Sequence, residues 1–117
     1  MNHVGNFHDQ LRKKMDDYVH GVYGATKNFP KEELYGVTSQ IRRASLSVIL
    51  NYIEGYSRIK SKVHKNFLEI SYGSLQESKY LLNFVQKENY ISMVQSMPLI
   101  KLADEIGAML WGIIRKI

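Results

Sequence analysis

The feature that most constrains this chain is a spacing. Apolar side chains at Phe7, Leu11, Met15, Tyr18, Val22, Ala25 and Phe29 follow one another by 4, 4, 3, 4, 3 and 4 residues. At about 100° per residue they gather into a stripe about 80° wide, the face of an amphipathic helix packed on one side. Lys13, Asp16, His20 and Lys27 fall on the other side. Helical periodicity continues in three further segments, so the apolar surface has to be buried helix against helix.

The boundaries follow from the breakers. The residue before a proline is pushed out of the α region, so the first helix ends near Asn28–Phe29, ahead of Pro30. Pro30-Lys31-Glu32-Glu33 then restarts a helix, with proline in the first turn and acids at the positive end of the dipole. That second helix runs to about Arg58, with Gly36 and Gly55 as its weak points. Ser61 is the N-cap of a third, closed by the polar turn at Lys87–Asn89.

Leu99, Leu102, Ile106, Leu110, Ile113 and Ile117 mark a fourth helix whose start has two readings. Ser92-Met93-Val94-Gln95 forms a capping box and leaves Pro98 near the second turn, or Ser96 is the cap with Pro98 in the first turn. The expected fold is all-α, an antiparallel up-and-down four-helix bundle. It forms a single domain over 1–117, with helices at about 7–28, 31–58, 61–87 and 92–117.

Within this frame the second helix is unusual. Its polar residues Gln40, Arg43, Ser47, Asn51, Glu54 and Arg58 recur at spacings of 3, 4, 4, 3 and 4 and form one narrow stripe. The rest, including Ile41, Ala44, Leu46, Val48, Ile49, Leu50, Tyr52 and Ile53, spreads over more than about 200° of circumference. A helix at the edge of a monomeric bundle needs an apolar arc of only about 100°. Helix two is therefore expected to bury more than one face, and Arg42, projecting from the middle of the arc, to meet a subunit contact. For the third helix the expected inner stripe is Val63, Phe67, Ile70, Ser74, Ser78, Leu81 and Val85. Met15, Met93, Met97 and Met109 read as packing residues.

Composition excludes several chemistries. The chain has no cysteine, which removes disulfides, thiolate metal sites and cysteine nucleophiles. His3, His8, His20 and His64 are scattered, and no Glu-x-x-His pair or His-Glu-x-x-His is present, so no metal site is expected. Phosphate-cradling glycine loops and nucleophile elbows are missing too. Glu54 with Asn51 one turn away is the sole constellation resembling a site, and the reading favoured for it is structural. No catalytic residue and no cofactor is expected. The polar start Met1–Asn6 lacks the apolar core of a signal peptide, and no apolar run reaches the roughly 18 residues of a membrane span. Cytoplasmic location is expected, with no membrane partner.

Net charge is +5, from 16 basic and 11 acidic residues. Divided at the element boundaries, residues 1–28 carry +1, 29–60 and 61–87 carry +2 each, and 88–117 carry none. Arg58, Lys60, Lys62 and Lys65 concentrate the excess at one helix–helix corner. Lys79 and Lys87, with Tyr72 and Tyr80 nearby, extend it along helix three as a candidate nucleic-acid surface.

Three stretches together carry a family resemblance. Phe29-Pro30-Lys31-Glu32-Glu33-Leu34-Tyr35-Gly36-Val37-Thr38-Ser39-Gln40-Ile41-Arg42-Arg43-Ala44, then Ser47-Val48-Ile49-Leu50-Asn51-Tyr52-Ile53-Glu54-Gly55, then Gly73-Ser74-Leu75-Gln76-Glu77 resemble the motifs of the four-helix bundle proteins related to the 23S rRNA intervening-sequence proteins. Ile49, where many relatives have proline, and Tyr52 and Ile53, where they favour isoleucine and alanine, depart from the pattern. The family in turn resembles the accessory protein of diversity-generating retroelements, which binds nucleic acid and a reverse transcriptase. The resemblance implies a four-helix bundle, ring-shaped homopentamers and no enzymatic activity. The leading expectation is a non-enzymatic homo-oligomer that binds RNA or DNA. The alternative is a protein-interaction module with no nucleic-acid role, and a small hydrolase built on Glu54 is kept only as a reading to exclude.

Overall fold

A computed structural model describes residues 6–117, so Met1–Gly5 and the histidine at position 3 lie outside the described residues. Helices α1 (Phe7–Thr26), α2 (Val37–Tyr56), α3 (Ser61–Lys87) and α4 (Met93–Ile114) follow one another, with a single 3-10 turn at Lys31–Glu33. Each helix packs on its two neighbours in the order α1–α2–α3–α4–α1, and the diagonal pairs share only the core. Phe7, Tyr56, His64 and Ile113 line one cleft. The start of α1, end of α2, start of α3 and end of α4 therefore share one end of the molecule, which makes the bundle up-and-down and antiparallel.

Local signals explain where the helices begin and stop. Asn6 caps α1 by accepting from the Asp9 amide at 2.9 Å. Helix α2 begins at Val37, six residues after the expected start at Lys31. The reason lies in Glu33 and Gly36. The Glu33 carboxylate turns back to accept from the Val37 amide at 3.3 Å, and a Cβ on Gly36 would stand 2.7 Å from that oxygen. Glycine leaves room for an acid that caps the helix from outside. Helix α3 ends in a Schellman motif, with Asn89 left-handed at φ 62. Its amide donates to Gln86 O, and the Tyr90 amide to Val85 O at 2.9 Å. At α4 the capping box at Ser92 is the arrangement found, and Pro98 lies inside the helix. The carbonyl that proline leaves unpaired belongs to Val94, and both residues are exposed to water.

The core is built from Leu11, Met15, Tyr18 and Val22 of α1, Ile41, Ala44, Val48 and Tyr52 of α2, Leu68, Leu75 and Leu82 of α3, and Ile106 and Leu110 of α4. Helix α3 keeps the second half of its expected inner stripe and departs from the first. Ser78, Leu81 and Val85 are buried as expected, but Leu68, Ser71 and Leu75 face inward in place of Val63 and Ile70, which are about two-fifths exposed. Met93 and Met97 of α4 also face outward, unlike Met15.

Small residues bring α2 and α3 together more closely than any other pair. The buried Ser71 hydroxyl donates to the Val48 carbonyl at 2.6 Å, and Ser47 and Ser74 share a hydrogen bond at 2.8 Å. A Cβ on Gly55 would lie 3.3 Å from the His64 carbonyl and 3.2 Å from Leu68. Across the centre of the bundle Ser78 donates to the Leu75 carbonyl, so its oxygen accepts from the Tyr18 phenol at 2.8 Å. Burial pushes the Tyr18 phenol up to about 12.

Two outcomes follow from this packing. Gly55→Leu overpacks the α2–α3 contact against backbone that cannot move aside, and thermal unfolding should show a loss of about 1–3 kcal/mol. The unfolded chain releases the Tyr18 proton at about pH 10, while the folded chain holds it to about 12. Stability contributed by the protonated phenol is thus complete below pH 10 and lost as pH rises through 12. Urea midpoints measured across this range should fall, and fall less in Tyr18→Phe.

Candidate functional site

Three features on the outside of the bundle are built by α2 and its turn into α3. The first is the polar stripe. Gln40, Arg43 and Ser47 of α2 face Ser74 and Glu77 of α3 across a shallow groove. Asn51 donates to the Ser47 carbonyl at 2.9 Å and to its hydroxyl at 2.8 Å. Glu54 pairs with Arg58 at 2.5 Å, with both side chains more than two-fifths exposed. The stripe is therefore the solvent edge of the α2–α3 seam, and Glu54 leaves no buried donor unpaired when removed.

The second feature is the outward part of the wide apolar arc. Leu46, Leu50 and Ile53 lie on one line of α2 and are 37%, 53% and 41% exposed. The bundle covers the opposite side of the helix, so the arc is split between the core and the outside. Arg42, expected at a subunit contact, is tied within the chain. Its Nε donates to Thr26 Oγ1 at 2.7 Å, and its guanidinium lies 4.9 Å over the Tyr23 ring.

The third feature is the basic end. Arg58, Lys60, Lys62 and Lys65 come together around the turn between α2 and α3, and Lys60 and Lys62 are exposed. The Arg58 guanidinium is partly used, paired with Glu54 and 5.1 Å over the Phe67 ring. Antiparallel packing adds Arg115 and Lys116, which line the cleft beside His64, and Arg12, which lies beside Tyr56 and Ser57. Sequence reading missed these three because nothing in the chain's order links residue 115 to residue 60. The signal available was topological, since alternating helices place the end of the last beside the start of the third.

The rest of the expected surface does not join this end. Lys79 is paired with Asp104 of α4 and half-buried. At 1.5 Å per residue, Lys79 stands about 21 Å and Lys87 about 33 Å along α3 from Lys65. Lys87 belongs to the opposite end, beside Tyr80 and Phe84. Tyr72 packs against Trp111, with ring centroids 5.9 Å apart, and the outer surface of α3 forms no continuous cationic stripe. Among the described residues, no helix is long and apolar enough to cross a membrane.

Helix number, connection order and the close α2–α3 seam define the class, a small up-and-down four-helix bundle. The sequence model of the 23S rRNA-intervening sequence protein family matches residues 9–112, and the chain belongs to that family. It is similar in fold to a protein of unknown function from the S23 ribosomal protein family of Bacteroides thetaiotaomicron, whose crystal structure is known at 1.70 Å. The two share 21% identity and a TM-score of 0.80 over 89% of this chain and 97% of the other. No curated protein matches the chain significantly. Neither the family nor this structural relative is tied to an enzymatic activity.

Exposure decides what Glu54 is worth. A solvent-exposed pair four residues apart contributes at most about 0.5 kcal/mol, so Glu54→Ala should shift the melting temperature only slightly. A large loss would place Glu54 in a contact outside the single bundle.

Proposed function

We propose that the protein is a non-enzymatic, cytoplasmic homo-oligomer that binds RNA or DNA through the basic end of each bundle. The observation that carries this reading is the convergence of Lys60, Lys62 and Lys65 with Arg115 and Lys116 at one end. Glu54 nearby is already engaged by Arg58, and Asp9, hydrogen-bonded to the neutral Asn6 amide, lines a separate groove with Arg12. Such a surface attracts phosphate rather than particular bases, and repetition of it around a ring multiplies the local potential.

Self-association is supported by the outward line of Leu46, Leu50 and Ile53. A closed ring needs two different complementary patches on every subunit. The exposed Met93, Val94 and Met97 on the first turns of α4 offer the second. A pentamer is the assembly that the resemblance implies. The competing reading, a scaffolding module with no nucleic-acid role, draws on the same apolar surfaces and leaves the basic end without a partner.

Light scattering behind size exclusion at micromolar concentration should give a multiple of 13.6 kDa, five-fold for a pentamer. Leu50→Arg should dissociate it, and a wild-type monomer would contradict the assembly. Fluorescence anisotropy with structured RNA and duplex DNA should give micromolar binding near about 50 mM salt that weakens steeply as salt rises. Joint replacement of Lys60, Lys62 and Lys65 by Glu should abolish it. Unchanged binding in that variant, or none in the wild type, overturns the nucleic-acid reading in favour of scaffolding.

A further inference from the structure

The basic end also holds a cleft of about 590 Å³, within the size range of small-ligand sites. One wall is aromatic. The His8 and Tyr56 rings meet edge to face with centroids 4.9 Å apart, and Tyr56 and His64 do the same at 4.5 Å. Phe7 extends the wall, 5.8 Å from His8. Helix α4 and the residues after it add Met109, Ile113, Arg115 and Lys116 to the lining.

The imidazoles are fixed by their other contacts. His8 Nδ1 is hydrogen-bonded to the buried Tyr52 phenol at 2.6 Å, and His64 Nδ1 to the Gly55 carbonyl at 2.7 Å. A carbonyl only accepts, so His64 carries its proton on Nδ1 and, when neutral, presents Nε2 as an acceptor. The cleft thus combines flat aromatic surface, apolar packing, an acceptor at ring height and cations in the lining.

We infer that this cleft receives one unstacked nucleobase of a single-stranded or looped nucleic acid. The phosphates on either side of it lie on Arg115, Lys116 and the Lys60–Lys65 turn. Charge complementarity selects this occupant over a neutral apolar ligand. Arg115 and Lys116 line the cleft itself, and Lys60 and Lys62 are exposed on the turn that leads into α3 and its His64. This inference rests on the nucleic-acid reading above and adds to it a preference for unpaired strands.

Gly112 provides the test, because it lines the cleft and a Cβ placed there meets nothing within 4 Å. Gly112→Leu fills the cleft without disturbing the core, and Ala108→Phe, on the same lining, does so independently. Anisotropy should show a single-stranded oligonucleotide binding more tightly than a duplex of equal length. Both variants, folded by circular dichroism, should bind the single strand about tenfold more weakly, the scale of one stacked base, and the duplex as before. A fluorescent adenine analogue in the strand should be quenched by the wild type and not by the variants.

Single-strand binding untouched in either folded variant overturns the cleft while leaving the basic end as the binding surface. Binding of added long-chain fatty acid by the wild type but not by the variants, with oligonucleotide binding unchanged, overturns it in favour of an apolar ligand. Absence of all nucleic-acid binding in the wild type refutes the earlier reading itself, and this one with it.

Discussion

The contact on which the rest of the structure depends is the one between α2 and α3. With no side chain at Gly55 and only hydroxymethyl groups at Ser71 and Ser74, the two backbones approach until the Ser71 hydroxyl reaches the Val48 carbonyl at 2.6 Å. A helix held that closely has no freedom to roll. Its rotation fixes Ile41, Val48 and Tyr52 in the core, Ser47 and Asn51 along the edge of the seam, and Leu46, Leu50 and Ile53 outside. The outward apolar line is thus a consequence of the seam, since turning it inward would carry Ile41, Val48 and Tyr52 out of the core. Exposing it costs the isolated bundle nothing in hydrogen bonds, and its area remains available to another surface.

The same rotation builds the basic end. Gly55 is the residue before the last of α2, and its carbonyl accepts from His64 Nδ1 at 2.7 Å. This fastens the start of α3 beneath the turn that carries Lys60 and Lys62. Tyr52 and Tyr56, on either side of Gly55 in sequence, hold His8 of α1 between them. Aromatic packing therefore joins three helix ends at the place where the cations gather. Burial raises the Tyr52 phenol well above its ordinary value.

Helix number and the ends of α1, α3 and α4 were legible in the sequence to within three residues, because capping and breaking residues act over only a few positions. The turn at Lys87–Asn89 and the Ser92–Gln95 box, one of two readings for the start of α4, are examples. Ser61, expected as the N-cap of α3, is its first helical residue behind Lys60. The orientation of α3 was less legible. Val63, Phe67, Ile70 and Ser74 recur at helical spacing as Leu68, Ser71, Leu75 and Ser78 do, and only the partner helix decides between the two stripes. The start of α2 was misplaced because Pro30-Lys31-Glu32-Glu33 carries helix-starting chemistry, while Glu33 uses its carboxylate to cap a helix that begins at Val37. At the candidate site, Lys60, Lys62 and Lys65 were found through local charge density. Arg115, Lys116 and the His8–Tyr56–His64 wall were not, since they meet only after the chain has crossed the bundle. Lys79 shows the converse failure, a lysine that appears free in sequence and is engaged by Asp104 across the α3–α4 interface.

The central claim is that α2 serves two surfaces, one within its own bundle and one against another copy of the chain. Because the chain has no cysteine, single-cysteine variants report the accessibility of one site at a time. Ile53→Cys places a thiol on the outward line of α2, and Lys13→Cys places one on the exposed side of α1. The rate of thiol labelling, followed by mass spectrometry at micromolar protein, tests the claim directly. The account predicts slow labelling at position 53 and rapid labelling at position 13, with the difference vanishing as dilution dissociates the assembly. Equal, rapid labelling of both sites at every concentration would contradict it.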